Sequence, residues 1–176
     1  MKQVLIITGS ARPNSVNSTV VKLTADRTKA ADAEVVIADL AELALPFYDA
    51  TVPASADDYT PPHDSVATFS QMVADADAVV IVGPEYNHSL SGIQKNALDW
   101  VYKEWNGKPV GFVGYGWYAA ANSHDHLVRM NEVLKMKLGE KFTGLGFMKD
   151  IGVDGTLLDE AGVTAMLDAT IAEILS

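Results

Sequence analysis

The chemistry in this chain is concentrated in polar segments that follow short apolar runs. In Gly9-Ser10-Ala11-Arg12-Pro13-Asn14-Ser15-Val16-Asn17-Ser18, six of ten residues carry a hydroxyl, an amide or a guanidinium. At a junction between a strand and a helix, free N–H groups attract anions, hydroxyls add donors, and Arg12 can pair bidentately with a phosphate. The same residues also read as a well-capped helix start, with Ser15 or Asn17 satisfying the orphan N–H groups and Arg12 solvated. The segment is neither GxxxxGK[ST] nor GxGxxG. A second polar segment, Gly83-Pro84-Glu85-Tyr86-Asn87-His88-Ser89-Leu90-Ser91-Gly92, leads into the helical run Ile93-Gln94-Lys95-Asn96-Ala97-Leu98-Asp99-Trp100.

Elements that would position these segments are legible in the apolar pattern. Val4 to Ile7, Val35 to Ile37, Ala78 to Val82 and Val110 to Val113 are β-branched runs of the kind buried on both faces of a parallel sheet. A fifth strand is expected around Thr143 to Phe147, with strand propensity lowered by Gly144 and Gly146. Helical stripes lie between them: Ser15 to Ala31; Val66, Phe69, Val73 and Ala76; Ile93, Ala97, Trp100, Val101 and Trp105; Leu127, Met130 and Leu134; Val163, Met166, Thr170, Ile171 and Ile174. Strands and helices that alternate from end to end predict an α/β fold. In a sheet of order 2-1-3-4-5 both polar segments open into the crevice where the strand order reverses. The stretch from Asp49 to Asp64, with Pro53, Pro61 and Pro62, is expected to be a long loop, either functional or tolerated.

At 176 residues and 48% hydrophobic composition the chain is expected to form a single folded domain over residues 1–176. The absence of cysteine removes thiolate nucleophiles, CxxC relays and thiolate zinc sites. Any redox chemistry therefore needs a borrowed cofactor. A net charge of −10 argues against nucleic acid and anionic membrane partners. The apolar run after Met1 is too short for a signal peptide, which places the protein in the cytoplasm and makes the Asn17-Ser18-Thr19 and Asn87-His88-Ser89 sequons inconsequential.

The pattern Gly9-Ser10-x-Arg12-x-x-Ser15-x-Asn17, followed by Pro84-Glu85-Tyr86-Asn87-x-Ser89-x-x-Gly92-x-x-Lys95-Asn96-x-x-Asp99-Trp100, resembles the NADPH-dependent FMN reductase family. The resemblance covers nearly the whole chain. It implies a flavodoxin-like three-layer sandwich, with a five-stranded parallel sheet of order 2-1-3-4-5 and helices on both faces. It further implies FMN as cofactor, NADPH or NADH as co-substrate, and a small acceptor: a quinone, an azo compound, a metal oxyanion or free flavin. Gly9, Ser10, Arg12, Ser15, Asn17 and Ser18 would hold the phosphate, and Pro84, Glu85, Tyr86, Asn87 and Ser89 would border the ring. The Lys95 to Trp100 helix would lie near the contact of a homodimer or homotetramer. On this reading no acid-base side chain is needed, and the N–H groups of Glu85 to Asn87 would stabilise negative charge on the reduced ring. A flavodoxin-like electron carrier without nicotinamide activity and a flavin-free scaffold are the alternatives.

The chain departs from the family pattern at Gln94, where many members carry Leu, and in its third loop. There Gly114-Tyr115-Gly116-Trp117-Tyr118-Ala119 replaces small residues with three aromatics. Gly114, Tyr115, Gly116 and Trp117 could stack on the flavin, could form a tight turn with core or subunit aromatics, or could be a dinucleotide loop of the form GxGxx[GA]. His124-Asp125-His126 lacks a third ligand and reads as a solvated cap rather than a metal site. His88 is either a flavin or substrate hydrogen-bonding group or an exposed loop histidine. Lys95 and Asp99 are placed for an ion pair within one helix or for a subunit contact.

Overall fold

The computed structural model describes residues 1–176. Five strands or strand pairs lie in parallel: β1 (Gln3–Thr8), β2 (Glu34–Asp39), β3 (Ala78–Pro84), β4 (Pro109–Gly116), and then β5 (Lys137–Leu138) and β6 (Thr143–Gly146). The order is β2-β1-β3-β4-β5, with β6 also pairing with β4, as the resemblance implies. Helices α1 (Asn17–Ala30), α2 (Leu40–Leu43), α3 (Asp64–Asp75), α4 (Gly92–Trp100), α5 (Ala121–Leu134) and α6 (Glu160–Leu175) cover the two faces. No helix is long and apolar enough to cross a membrane.

The period of two along each strand divides the interior into two cores. Leu5, Ile7, Val79, Ile81, Val110 and Phe112 face α3, α4 and α5, together with Phe69, Trp100 and Leu127. Val4, Ile6, Val80, Val82, Val113 and Tyr115 face α1 and α6, together with Val20, Val163, Leu167 and Ile171. Every residue of β3 is buried, the expected result for a central parallel strand. Arg27 of α1 donates from Nε and from an Nη to the Asp168 carboxylate of α6 at 2.7 and 2.8 Å, which fixes the register of those two helices.

Three elements differ from expectation. The fifth strand is two short pieces on the same edge of β4: Lys137–Leu138 beside Pro109–Val110, and Thr143–Gly146 beside Val113–Gly116. The chain swings out between them because the N–H groups of Glu140 and Lys141 donate to the Glu173 carboxylate, each at 2.9 Å, in place of β4. The helix expected to carry Trp105 stops at Trp100, where Val101 turns extended, and a separate 3₁₀ turn (Lys103–Trp105) brings Trp105 into the core. The short helix α2 was not anticipated; Asp39 caps it by accepting the Ala41 N–H at 2.9 Å.

The long loop before α3 packs over α4. Asn96 donates to the Pro46 carbonyl at 2.8 Å and accepts the Tyr48 N–H at 3.0 Å, and the Trp100 indole donates to the same Pro46 carbonyl at 2.8 Å. Tyr48 and His63 rest on the Trp100 ring, and the Tyr59 hydroxyl donates to the Trp100 carbonyl. The Asn and Trp of the second motif therefore act as anchors for this loop.

Candidate active site

The three polar loops leave the carboxyl ends of β1, β3 and β4 and meet where the strand order reverses. At the end of β1, the Ser91 hydroxyl donates to the Gly9 carbonyl at 2.6 Å, joining the first loop to the start of α4. Ser91 and Gln94 form a capping box, and the Gln94 amide donates to the Val82 carbonyl at 3.2 Å. Gln94 is buried between the two strand ends, so a Cβ on either Gly9 or Gly83 would overlap its amide. Gln94, the departure from the family pattern, is thus the spacer under the crevice.

From Ser10 to Val16 the backbone N–H groups of Ser10, Ala11, Asn14, Ser15 and Val16 have no partner in the chain. Arg12 is exposed and forms no ion pair. The capped-helix reading holds only in part: the Ser15 hydroxyl accepts the Asn17 N–H at 3.2 Å, but the N-cap residue, Val16, makes no side-chain cap, and the Asn17 carboxamide oxygen is taken by the Tyr115 hydroxyl at 3.3 Å. Ser18, exposed, donates to the Ser15 carbonyl. A cleft of about 750 Å³ is lined by Ser10, Arg12, Ser15, Asn17 and Ser18, but it runs along α1 toward Ile37 and Asp39 of β2, on the opposite side of β1 from the β3 loop. The loop thus borders both that cleft and the crevice.

The second loop is a tight hairpin. Tyr86 and Ser89 exchange backbone hydrogen bonds at 3.0 Å each way, and Asn87 and His88 between them have φ of 51° and 60°. Two successive positive-φ residues are the geometry of a type I′ turn, in which Asn is favoured and His is tolerated better than most side chains. The N–H of Glu85 donates to the Tyr115 carbonyl and that of Tyr86 to Ser89. This corrects the expectation that the N–H groups of Glu85 to Asn87 all point at a ligand: within that run only Asn87 keeps a free N–H, and His88 adds another. The Tyr86 hydroxyl lies 3.4 Å from Ser10 Oγ and so links this hairpin to the first loop.

Glu85 has a role that the motif does not reveal. Its carboxylate, 4% exposed, accepts the N–H groups of Asn122 (2.9 Å) and Ser123 (3.2 Å) and the Asn122 side-chain amide (2.9 Å). It caps α5 from another element and satisfies donors that the local N-cap, Ala120, cannot serve. The dinucleotide reading of the third loop is thereby excluded, because a carboxylate already occupies the helix end where a pyrophosphate would sit. Gly114 and Gly116 lie within β4 rather than in a loop. A Cβ at Gly114 would overlap that of Ala120, so glycine there lets the left-handed pair Ala119 and Ala120 fold back over the strand.

The three aromatics separate. Tyr115, 3% exposed, sits beneath the first loop; its hydroxyl lies 3.3 Å from both Ser15 Oγ and Asn17 Oδ1. Burial pushes its phenol up to about 12. Trp117 and Tyr118 are 68% and 62% exposed at the rim, against Phe147 and His88 respectively. His88 lies 3.7 Å from the Glu85 carboxylate. His124 stacks on Phe142 at 4.0 Å, His126 hydrogen-bonds Ser89, and no group of three His, Asp or Glu side chains is placed to hold a metal. Lys95 pairs with Asp99 at 2.6 Å within α4.

The donor set fits a phosphorylated planar cofactor: unpartnered N–H groups, serine hydroxyls and an unpaired guanidinium at one end, and a rigid hairpin with two free N–H groups and exposed aromatics at the other. Residues 2–143 match the sequence pattern of the NADPH-dependent FMN reductase family. The chain is 34% identical over 111 residues to a NAD(P)H-dependent FMN reductase of Saccharomyces cerevisiae, covering 60% of this chain and 57% of that protein. It is 31% identical over 175 residues to a NAD(P)H-dependent FMN reductase of Nectria sp., covering 92% and 86%. A 2-hydroxy-1,4-benzoquinone reductase of Burkholderia sp. is 40% identical over 84 residues, covering 43% and 46%. The chain spans about half the length of several of these relatives, including 50% of a Schizosaccharomyces pombe NAD(P)H-dependent FMN reductase. The flavoenzyme NAD(P)H:(acceptor) oxidoreductase FerB of Paracoccus denitrificans has the same fold, with a TM-score of 0.75 at 23% identity over 99% of this chain and 98% of that one. The chain belongs to the NADPH-dependent FMN reductase family.

Proposed function

We propose that this member of the family is an NAD(P)H-dependent oxidoreductase that holds FMN across the three loops and reduces a small acceptor of the quinone type. The observation that carries this reading is the first loop, where five backbone N–H groups have no partner in the chain and the exposed Arg12 forms no ion pair. When bound, FMN supplies hydride acceptance from nicotinamide and electron delivery to the acceptor. Gly9, Ser10, Arg12, Ser15, Asn17 and Ser18 hold the phosphate, and Tyr115 fixes Ser15 and Asn17 from below. Pro84, Glu85, Tyr86, Asn87 and Ser89 would form the wall beside the ring; the unpartnered Asn87 N–H would be available to stabilise negative charge there, and Glu85 keeps the hairpin and α5 in register. Gly114 and Gly116, at the end of β4, let Ala120 and Glu85 approach the strand closely, and Trp117 would cover the open face. Hydride transfer asks no side chain for a proton, so none is assigned one.

The protein works in the cytoplasm as a homodimer or homotetramer on this reading, a state favoured by the exposed apolar side chains Phe47, Trp117, Tyr118 and Met148. The test is a titration of the purified protein with FMN followed by anaerobic NADPH and NADH. Saturable binding with bleaching of the flavin by nicotinamide is the expected result. Bound flavin that neither nucleotide bleaches, or no flavin binding, overturns the proposal.

A further inference from the structure

The chain has four histidines, and the structure sets one apart. His63 hydrogen-bonds Asp49, His126 hydrogen-bonds Ser89, and His124 has its Nε2 buried. His88 presents a ring free of hydrogen bonds, 61% exposed, at the tip of the hairpin. Its Nδ1 lies 3.7 Å from Oε1 of Glu85, a buried carboxylate already committed to three donors of α5. That contact turns Nδ1 toward the protein and leaves Nε2 without a partner. Tyr118 holds the ring from the side, with centroids 4.9 Å apart. Because Tyr118 adjoins the exposed Trp117, His88 stands on the lip between the second and third loops. Of the other tyrosines nearby, Tyr86 is engaged with Ser10 and Tyr115 is buried beneath the first loop.

We infer that His88 is the proton donor to the acceptor, held for that task by Glu85 and Tyr118. The inference rests on the reductase reading and concerns its second half. A quinone that takes up a hydride becomes a hydroquinone monoanion, with the electron pair on one oxygen. The Nε2–H bond of the imidazolium breaks, an O–H bond forms, and hydroquinone and neutral imidazole result. Water then returns a proton to the exposed ring. The sum is NAD(P)H, quinone and one proton giving oxidised nicotinamide and hydroquinone. Histidine is the side chain whose ordinary titration range spans neutral pH, so it can give and regain a proton there. It is also among the few side chains enriched at positive φ, which is what the tip of this turn demands.

The test uses FMN-loaded protein and two variants that accept positive φ, His88→Asn and His88→Gly. In stopped flow His88→Asn should slow reoxidation of the flavin by 1,4-benzoquinone about tenfold or more, less than the usual range for general acid catalysis because water partly replaces an exposed donor. Reoxidation by ferricyanide, which takes electrons without a proton, should stay within about twofold. Imidazole added to His88→Gly should restore part of the quinone rate. A binding measurement stands apart from turnover: 2,6-dichloro-4-nitrophenolate, an anion across neutral pH, stands in for the reduced acceptor. It should bind about two- to fivefold more tightly at pH 6 than at pH 8, the scale of one exposed ion pair. The titratable groups placed against His88 are Glu85 and Tyr118, so the difference should vanish in His88→Asn. Quinone and ferricyanide rates that fall together, or a quinone rate within about twofold of the unaltered protein, overturn the assignment. So does a phenolate affinity with the same pH dependence in both proteins, or a Tyr118→Phe protein that reproduces the loss and so makes the phenol the donor. If neither nucleotide reduces the flavin, the reductase reading fails by itself, and flavin reduced by light still lets the quinone step decide His88.

Discussion

Replacing Glu85 with alanine should cost more stability than its place in a loop implies. The carboxylate accepts three hydrogen bonds, two of them from the first N–H groups of α5, and is almost fully buried. A hydrogen bond to a charged group contributes about 1.5 to 3 kcal/mol, and loss of an N-cap costs about 0.5 to 2 kcal/mol. These overlap because the three bonds share one acceptor, so about 2 to 4 kcal/mol is expected for Glu85→Ala. With a urea slope of about 2 kcal/mol per molar, the unfolding midpoint should fall by about 1 to 2 M with the slope unchanged. Glu85→Gln should lose roughly half as much. Its carbonyl can still accept the Asn122 and Ser123 N–H groups, while its NH₂ meets the Asn122 amide, which must turn over to present its oxygen. A midpoint change below about 0.2 M in Glu85→Ala would refute the capping role, because at that slope it falls below the least that loss of an N-cap costs. Equal losses in the two variants would show that the charge, not the two backbone bonds, carries the effect.

Other outcomes follow from the same geometry. Arg12→Ala should weaken FMN binding by about 1.5 to 3 kcal/mol, the scale of a hydrogen bond to a charged group, as read by quenching of flavin fluorescence; unchanged affinity would remove Arg12 from the phosphate site. Tyr115 should stay protonated until about pH 12, so the ultraviolet tyrosinate titrations of the unaltered protein and Tyr115→Phe should superimpose until just below that point. His124, held below the ordinary histidine value by burial, should make the protein lose stability as acid is added. The unfolded chain takes up that proton near pH 6.5 while the native state does not, so the loss begins as pH falls through about 6.5 and levels off below the native value. In His124→Phe this part of the pH dependence of urea midpoints should disappear.

The fold was largely readable because the strands are continuous apolar runs, and a parallel sheet with both faces covered allows little else. What escaped has a physical reason in each case. The fifth strand divides because a glutamate on α6, more than thirty residues further on, captures two N–H groups that the ladder would otherwise hold. The Trp100 and Trp105 stripe looked like one helix because both rings enter the same core, but a 3₁₀ turn reaches the second after an extended residue. Tyr115 was placed in a loop because two flanking glycines resemble a turn, whereas β4 runs on through Gly116 and the alternation along it sends the phenol toward α1.

The candidate site shows the same division between residues and the links that join them. Each loop is marked by its own composition, so Ser10, Arg12, Ser15, Asn17 and the Pro84 to Asn87 run were visible in sequence. Their couplings are not local: Ser10 meets Tyr86 across 76 positions, Ser15 meets Tyr115 across 100, and Glu85 meets Asn122 across 37. Nothing in the spacing of a single segment encodes such a pair. The consequence is mechanical, because the hairpin is tied to the first loop by Tyr86, to the third loop's strand by the Glu85 N–H, and to α5 by the Glu85 carboxylate. A two-residue turn with both Asn87 and His88 at positive φ has a defined shape of its own. The three ties fix where that turn sits, so the Asn87 and His88 N–H groups, which have no partner in the chain, are held in one arrangement before any ligand arrives.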